Sequence, residues 1–115
     1  MEKIGNMSAL PNFFEDLPEF PFPKEISQII FDKQQIRIER IVSAGQASPP
    51  GFWYDQPQNE WILLLSGNAV IKYRNPDEIF QLKPGSYLYI PAHQLHRVDK
   101  TSDAENTLWL AFFFS

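Results

Sequence analysis

Cysteine is absent from the 115 residues, which excludes a disulfide framework, thiolate metal sites and cysteine nucleophiles, and fits a reducing cytosol. A basic excess is absent too: 10 Lys+Arg stand against 14 Asp+Glu, a formal charge of −4. Such a chain cannot neutralise a phosphate backbone or hold an anionic membrane, so neither nucleic acid nor membrane is an expected partner. The longest fully apolar run, Trp61 to Leu65, falls far short of the ~20 residues of a membrane span. The charged start, Met1 to Gly5, is followed by no apolar segment of the kind a secretory signal carries. A cytoplasmic location is the expectation. There is no Gly-x-Ser-x-Gly elbow and no phosphate-cradling glycine loop, which leaves nucleophilic hydrolysis and nucleotide binding without support.

What is present suffices for one domain, since 43% of the residues are hydrophobic and the length allows a single core. Residues 1–25 read as an N-terminal strap, partly disordered before Leu10. Between Pro11 and Pro23 four prolines alternate with Phe13, Phe14, Phe20 and Phe22, a mixture that sustains neither a long helix nor a central strand. A disordered tail is poor in aromatics, so these phenylalanines are expected to dock on the domain or on a second subunit.

From Ile26 to the end, short apolar segments alternate with turn residues, and no useful helical period occurs. Ile36, Ile38 and Val42 share one parity while Arg37 and Glu39 take the other, as in a strand with one wet face. Trp61 to Leu65 is apolar on both parities and should be covered on both sides. Ser66-Gly67-Asn68, Asn75-Pro76-Asp77 and Lys83-Pro84-Gly85 are turns. They separate strands at Ala69 to Arg74, Ile79 to Leu82 and Tyr87 to Ile90, with further strands at His96 to Asp99 and Thr107 to Phe114. Eight or nine strands in so small a chain must hide their edges, which predicts an all-β barrel or sandwich over residues 26–115.

Two segments match something more specific. Glu60-Trp-Ile-Leu-Leu-Leu-Ser-Gly67 resembles the second half of the first motif of the cupin family, and Gly85-Ser-Tyr-Leu-Tyr-Ile-Pro-Ala-His-Gln-Leu-His96 resembles its second motif. The resemblance implies a single-domain cupin β-barrel of jelly-roll type. It also implies a site, because in the family a His-x-His pair and a Glu from the first motif and a His from the second hold a divalent metal. Glu60 and His96 occupy the Glu and second-motif His positions, whereas Tyr54 and Gln56 stand where the His-x-His pair would be. Half of the ligand set is missing, and His93 stands where the family often has Gly.

The residues themselves leave several roles open. With His93 turned into the barrel beside His96, the set His96, Glu60, His93 and Gln56 would hold zinc, manganese, iron or nickel; alternatively His93 lies in solvent or donates to a carbonyl. Glu60 suits a metal ligand, a general base raised in pKa by burial, or an inward carboxylate paired with His96 or Arg97. Phe52, Trp53 and Tyr54 follow two prolines and form either the wall of a small-molecule pocket or core filling. Tyr54 and Glu60 are the candidate catalytic groups, and Trp53, Tyr54, Gln56, Glu60, His93 and His96 the candidate ligand-binding set. The leading functional expectation is a small molecule bound in an aromatic-lined barrel with metal optional. The alternatives are a metal-dependent dioxygenase or isomerase and an interaction module using its apolar surface. Trp61, Leu63, Leu65 and the N-terminal phenylalanines are the expected faces of a homodimer.

Overall fold

A computed structural model describes residues 8–115, so residues 1–7, which make up most of the segment expected to be loose, lie outside the described residues. Eight strands follow the strap: β1 (Ile26–Lys33), β2 (Ile36–Ser43), β3 (Asn59–Ser66), β4 (Ala69–Arg74), β5 (Glu78–Leu82), β6 (Tyr87–Ile90), β7 (Leu95–Thr101) and β8 (Thr107–Phe114). There is no helix among the described residues, and hence none long and apolar enough to cross a membrane. Every strand pairing is antiparallel. A five-stranded sheet in the order β1-β2-β8-β3-β6 faces a three-stranded sheet in the order β5-β4-β7.

Period-two alternation explains how the sheets meet. Ile62 and Leu64 of β3, Trp109, Ala111 and Phe113 of β8, and Ile90 of β6 point inward from the larger sheet and are buried. They join Ala69, Ile71, Tyr73 and Leu82 of the smaller sheet in one core cluster. Burying each such aliphatic side chain contributes roughly 1.5–3 kcal/mol. The alternate residues Trp61, Leu63 and Leu65 are half-buried, with the Trp61 ring lying between those of Tyr87 (5.7 Å) and Phe112 (5.9 Å).

The strap is held by its backbone. Proline-rich chain has carbonyls with few partners of its own, and here side chains of the domain supply the donors. Arg40 donates to the carbonyls of Phe13 and Glu15, at 2.9 and 2.6 Å. Asn106 donates to Pro18 and Gln46 to Phe22. Phe13, Phe20 and Phe22 are half-buried against the domain, as expected, while Phe14 stays 61% exposed.

The strand region begins at Ile26 as expected, and its first strand, β1, is the most exposed element of the fold. All eight of its residues are exposed. It is joined to β2 through Gln34 and Gln35, both with positive φ, the pattern of a two-residue hairpin turn whose twist matches the strands. The larger sheet has two more strands than the smaller one, and β1 forms one of its edges.

Two glycines show how turn conformation and packing separate. At Gly67 (φ +81°) an added Cβ would lie 2.7 Å from Thr107 Cα and 2.8 Å from the Asn106 carbonyl oxygen, whereas at Gly51 (φ +76°) nothing lies within 4 Å. Both demand the left-handed region, but only the first adds a backbone collision. In urea titrations Gly67→Ala should cost about 2–4 kcal/mol and Gly51→Ala about 1 kcal/mol. Equal costs would show that Gly67 is set by conformation alone.

Candidate functional site

Between the two sheets lies a cavity of about 280 Å³. Its floor is apolar, built from Ile62, Ile71, Ile90 and Val98, and its upper wall is polar and aromatic. Four elements bring the polar groups together. β3 carries Glu60, β7 carries His96, β2 carries Arg37 and Glu39, and the segment before β3 carries Tyr54 and Gln56. That segment lies along β7 like an added strand: the Tyr54 amide donates to the His96 carbonyl at 2.7 Å and the His96 amide donates back to Tyr54 at 3.2 Å. Arg97 secures the same segment by donating to the carbonyls of Ser48, Pro49 and Phe52.

Glu60 is the most perturbed carboxyl of the site. It is 9% exposed, and its pKa is pushed up to about 7. Burial is the main cause; the charges of Glu39 and Glu25 add to it, and the Gln56 hydrogen bond and Arg37 oppose it. The Gln56 amide donates to Glu60 Oε1 at 3.0 Å. His96 Nε2 lies 3.7 Å from the same oxygen. The other ring nitrogen, Nδ1, is 2.8 Å from the Gln94 carbonyl oxygen, an acceptor only. Nδ1 therefore carries the hydrogen, and in the neutral ring Nε2 is left as a lone pair facing the cavity. Burial lowers the His96 pKa and so favours that neutral form. The Tyr54 ring stacks on His96 with centroids 5.4 Å apart. Its phenol is raised above the usual value, by burial first and then by Glu25 and Glu60, which favours the protonated hydroxyl.

Tyr54, Gln56, Glu60 and His96 are thus gathered at one wall, as the motif positions implied. Two expected residues are not. His93 stands at φ +64° in the turn after β6, a left-handed conformation that glycine adopts most cheaply. Its side chain is 67% exposed and its Nδ1 pairs with Asp55 at 2.7 Å, outside the cavity. Trp53 is not part of the cavity wall either; its ring lies beneath the guanidinium groups of Arg74 and Arg97, at 5.6 and 5.9 Å. Arg97 faces the loop and Asp99, so the inward partner of Glu60 is His96.

With His93 turned away, the ligand set of the wall is short. A firmly held transition metal needs three or four imidazole, carboxylate or thiolate donors at one point. Among the described residues no group of three His, Cys, Asp or Glu side chains is placed to hold one. His96 and Glu60 supply two such donors, and Gln56, whose Nε2 donates to Glu60, would add only a neutral carbonyl oxygen. The donor set does not fit a resident zinc, manganese, iron or nickel ion.

Sequence reading missed Glu25, Ser27, Arg37 and Glu39, all of which line the cavity. The alternation of β2 was read correctly, but its wet face is the inside of the molecule: Arg37, Glu39 and Ile41 point to the cavity, while Ile36 on the opposite parity is 40% exposed. Periodicity shows that a strand has two unlike faces and does not say which one turns inward. Arg37 is held there by Glu39 at 2.6 Å and lies 4.3 Å above the Phe113 ring.

The raised Glu60 pKa has a consequence for stability. Because its folded value of about 7 exceeds the ordinary value of 4.5, the native state binds more protons than the unfolded chain between those two values. The stabilisation is fully present below pH 4.5 and is lost as pH rises through 7, on the order of 3 kcal/mol in all. His96 works in the opposite sense, since its lowered pKa removes stability as pH falls below its ordinary value of 6.5. Glu60→Gln leaves Glu25 and His96 in place, so thermal unfolding followed from pH 5 to 8 should show the wild type losing stability relative to the variant. Parallel curves would mean that Glu60 titrates in its ordinary range.

Comparisons with known proteins fit this geometry. The cupin domain family model matches residues 39–113. A crystal structure of a candidate mannose-6-phosphate isomerase from Ralstonia eutropha JMP134 is similar over 94% of this chain and 99% of that one, with 44% identity and a TM-score of 0.87. A cupin superfamily protein from Desulfitobacterium hafniense DCB-2 is 20% identical over 94% of this chain and 93% of its own, with a TM-score of 0.73. The DMSP lyase DddQ from Ruegeria pomeroyi DSS-3 is 16% identical over 94% of this chain and 52% of its own, with a TM-score of 0.67. The last two likenesses concern the fold alone. No curated protein matches. With the family model covering residues from β2 to β8 and both motifs placed at the cavity, the chain belongs to the cupin family.

Proposed function

We propose that the chain binds a small organic molecule in its barrel cavity without a resident metal, and that Glu60 and His96 exchange a proton with that molecule. The pair itself carries the reading. A carboxyl poised near neutrality and an unprotonated imidazole nitrogen, 3.7 Å apart, both face a cavity of about 280 Å³. Groups whose environments oppose their charged forms are suited to acid and base work near neutral pH. The isomerase description of the Ralstonia relative accords with such a pair, because isomerisation by proton transfer needs one group to take a proton and another to return it. Tyr54 and Phe113 supply aromatic wall, with Tyr54 also offering a hydroxyl donor.

The test begins with metal. Protein purified without chelator is expected to contain well under one equivalent of any transition metal, and zinc, manganese or ferrous iron should leave the His96 ring signals unmoved in NMR spectra. Near-equimolar metal with shifted His96 signals would overturn the metal-free reading and favour a metal-dependent enzyme. A fragment screen should then find molecules that move the His96 ring and Glu60 amide signals together and raise the melting temperature.

A second reading concerns assembly and is favoured by β1. A fully exposed edge strand bearing Ile26, Ile29, Ile30 and Phe31, each more than 40% exposed, is a template for pairing with another chain. We propose a second copy of this chain as the occupant, paired around a two-fold axis along β1. In this reading β1 forms the homodimer face in place of Trp61, Leu63, Leu65 and the N-terminal phenylalanines. Light scattering should give twice the 13.4 kDa chain mass, and the double variant Ile29→Lys, Phe31→Glu should give the single mass. A wild-type monomer at high concentration overturns it.

A further inference from the structure

We infer that the cavity selects ligands bearing a positively charged nitrogen and rejects phosphorylated and carboxylate ligands; this rests on the cavity reading proposed above. Three carboxylates, Glu25, Glu39 and Glu60, line the space against Arg37, the one cation lining it among the described residues. Arg37 is already engaged. Its Nε donates to Glu39 at 2.6 Å, its Nη1 donates to Gln58 at 3.3 Å, and its plane covers Phe113. An incoming phosphate would compete with Glu39 for Arg37 and add a further negative charge beside Glu25 and Glu60, whose charged forms burial already opposes, whereas a cation would favour those charged forms.

The hydrogen-bonding capacity of the wall points the same way. The Gln56 amide is committed to Glu60, and the Trp109 indole N–H to Ser43. The acceptors that line the cavity include the His96 Nε2 lone pair and the carboxylate oxygens of Glu25, Glu39 and Glu60. His96 is 5% exposed, its Nδ1 hydrogen is spent on Gln94, and its Nε2 has no hydrogen bond to any described residue, since Glu60 Oε1 at 3.7 Å is out of reach. That nitrogen is open to the cavity and free to accept a hydrogen bond from a donor on a ligand. An ammonium group brings several donors and a charge of the sign that the carboxylates favour. The phosphosugar named in the description of the Ralstonia relative is therefore the wrong charge class for this wall.

The experiment uses probes of one size and three charges. ¹⁵N-labelled full-length protein is titrated at neutral pH and low ionic strength with n-propylammonium, 1-propanol and propionate, and separately with mannose 6-phosphate. The expected result is movement of the His96, Glu60 and Tyr54 amide signals with propylammonium, at an affinity at least about tenfold above propanol, and none with propionate or the sugar phosphate. The preference should shrink with added salt. Glu39→Gln, whose fold is checked by its own spectrum, removes one carboxylate and frees Arg37, so it should reduce the cation-to-anion ratio at least about tenfold. Binding of propanol, propionate or mannose 6-phosphate at these residues with affinity equal to or above the cation overturns the charge inference and leaves the cavity reading standing. Silence of the cavity signals toward all four probes overturns the cavity reading and this inference together.

Discussion

The central position of β8 is the constraint on which the rest of the molecule depends. It pairs with β2 on one side and β3 on the other, and Phe113 lies opposite both Arg37 and Glu60. One register therefore places three unlike groups on one inner face: an aromatic ring, a guanidinium and a carboxyl. A slip by a single residue would turn all of them outward and bring Phe112, Ile38 and Trp61 into the cavity. The apolar residues farther along the same strands, Trp109 and Leu64, make that slip costly, because each would lose its place in the core.

Having fixed the parity, the sheet sets the chemistry by burial. Glu60 and His96 come from opposite sheets and meet because the sheets pack face to face over Ile62, Ile71 and Ile90. The same loss of solvent that stabilises the hydrocarbon floor raises the carboxyl and lowers the imidazole. Two groups that would ionise readily in water are each biased toward neutrality. The loop carrying Tyr54 and Gln56 completes the wall by pairing its backbone with β7, so its side chains are placed by main-chain hydrogen bonds. Site and core are consequently one packing arrangement.

The departure from the family's ligand pattern has a structural counterpart. Tyr54 and Gln56 stand at the positions of two imidazoles, and His93, the extra histidine of the later motif, sits at a backbone conformation that sends its ring to Asp55. What remains is rich in acceptors and carboxylates and short of metal donors. Such a wall is suited to recognising the charge and hydrogen-bond donors of an organic ligand.

Much of this was legible beforehand, for reasons that differ by element. Strands β3, β4, β6 and β8 declare themselves through alternation and through turns at Gly67 and Gly85, since period two and positive φ are local properties. Motif spacing brought Tyr54, Gln56, Glu60 and His96 to one place, because those positions are tied to the fold. The direction of the β2 faces was not legible: Arg37 and Glu39 alternate with isoleucine whether the polar side meets solvent or an internal cavity, and only the opposing sheet decides. The same holds for His93, whose three-residue spacing from His96 suggested a shared site until the turn geometry separated them. The sequence by itself determined the strands, their turns and the identity of the buried acid and imidazole. The tertiary structure decided which carboxylates join them and which histidine does not, because side-chain direction depends on what packs against each face and no local pattern encodes that.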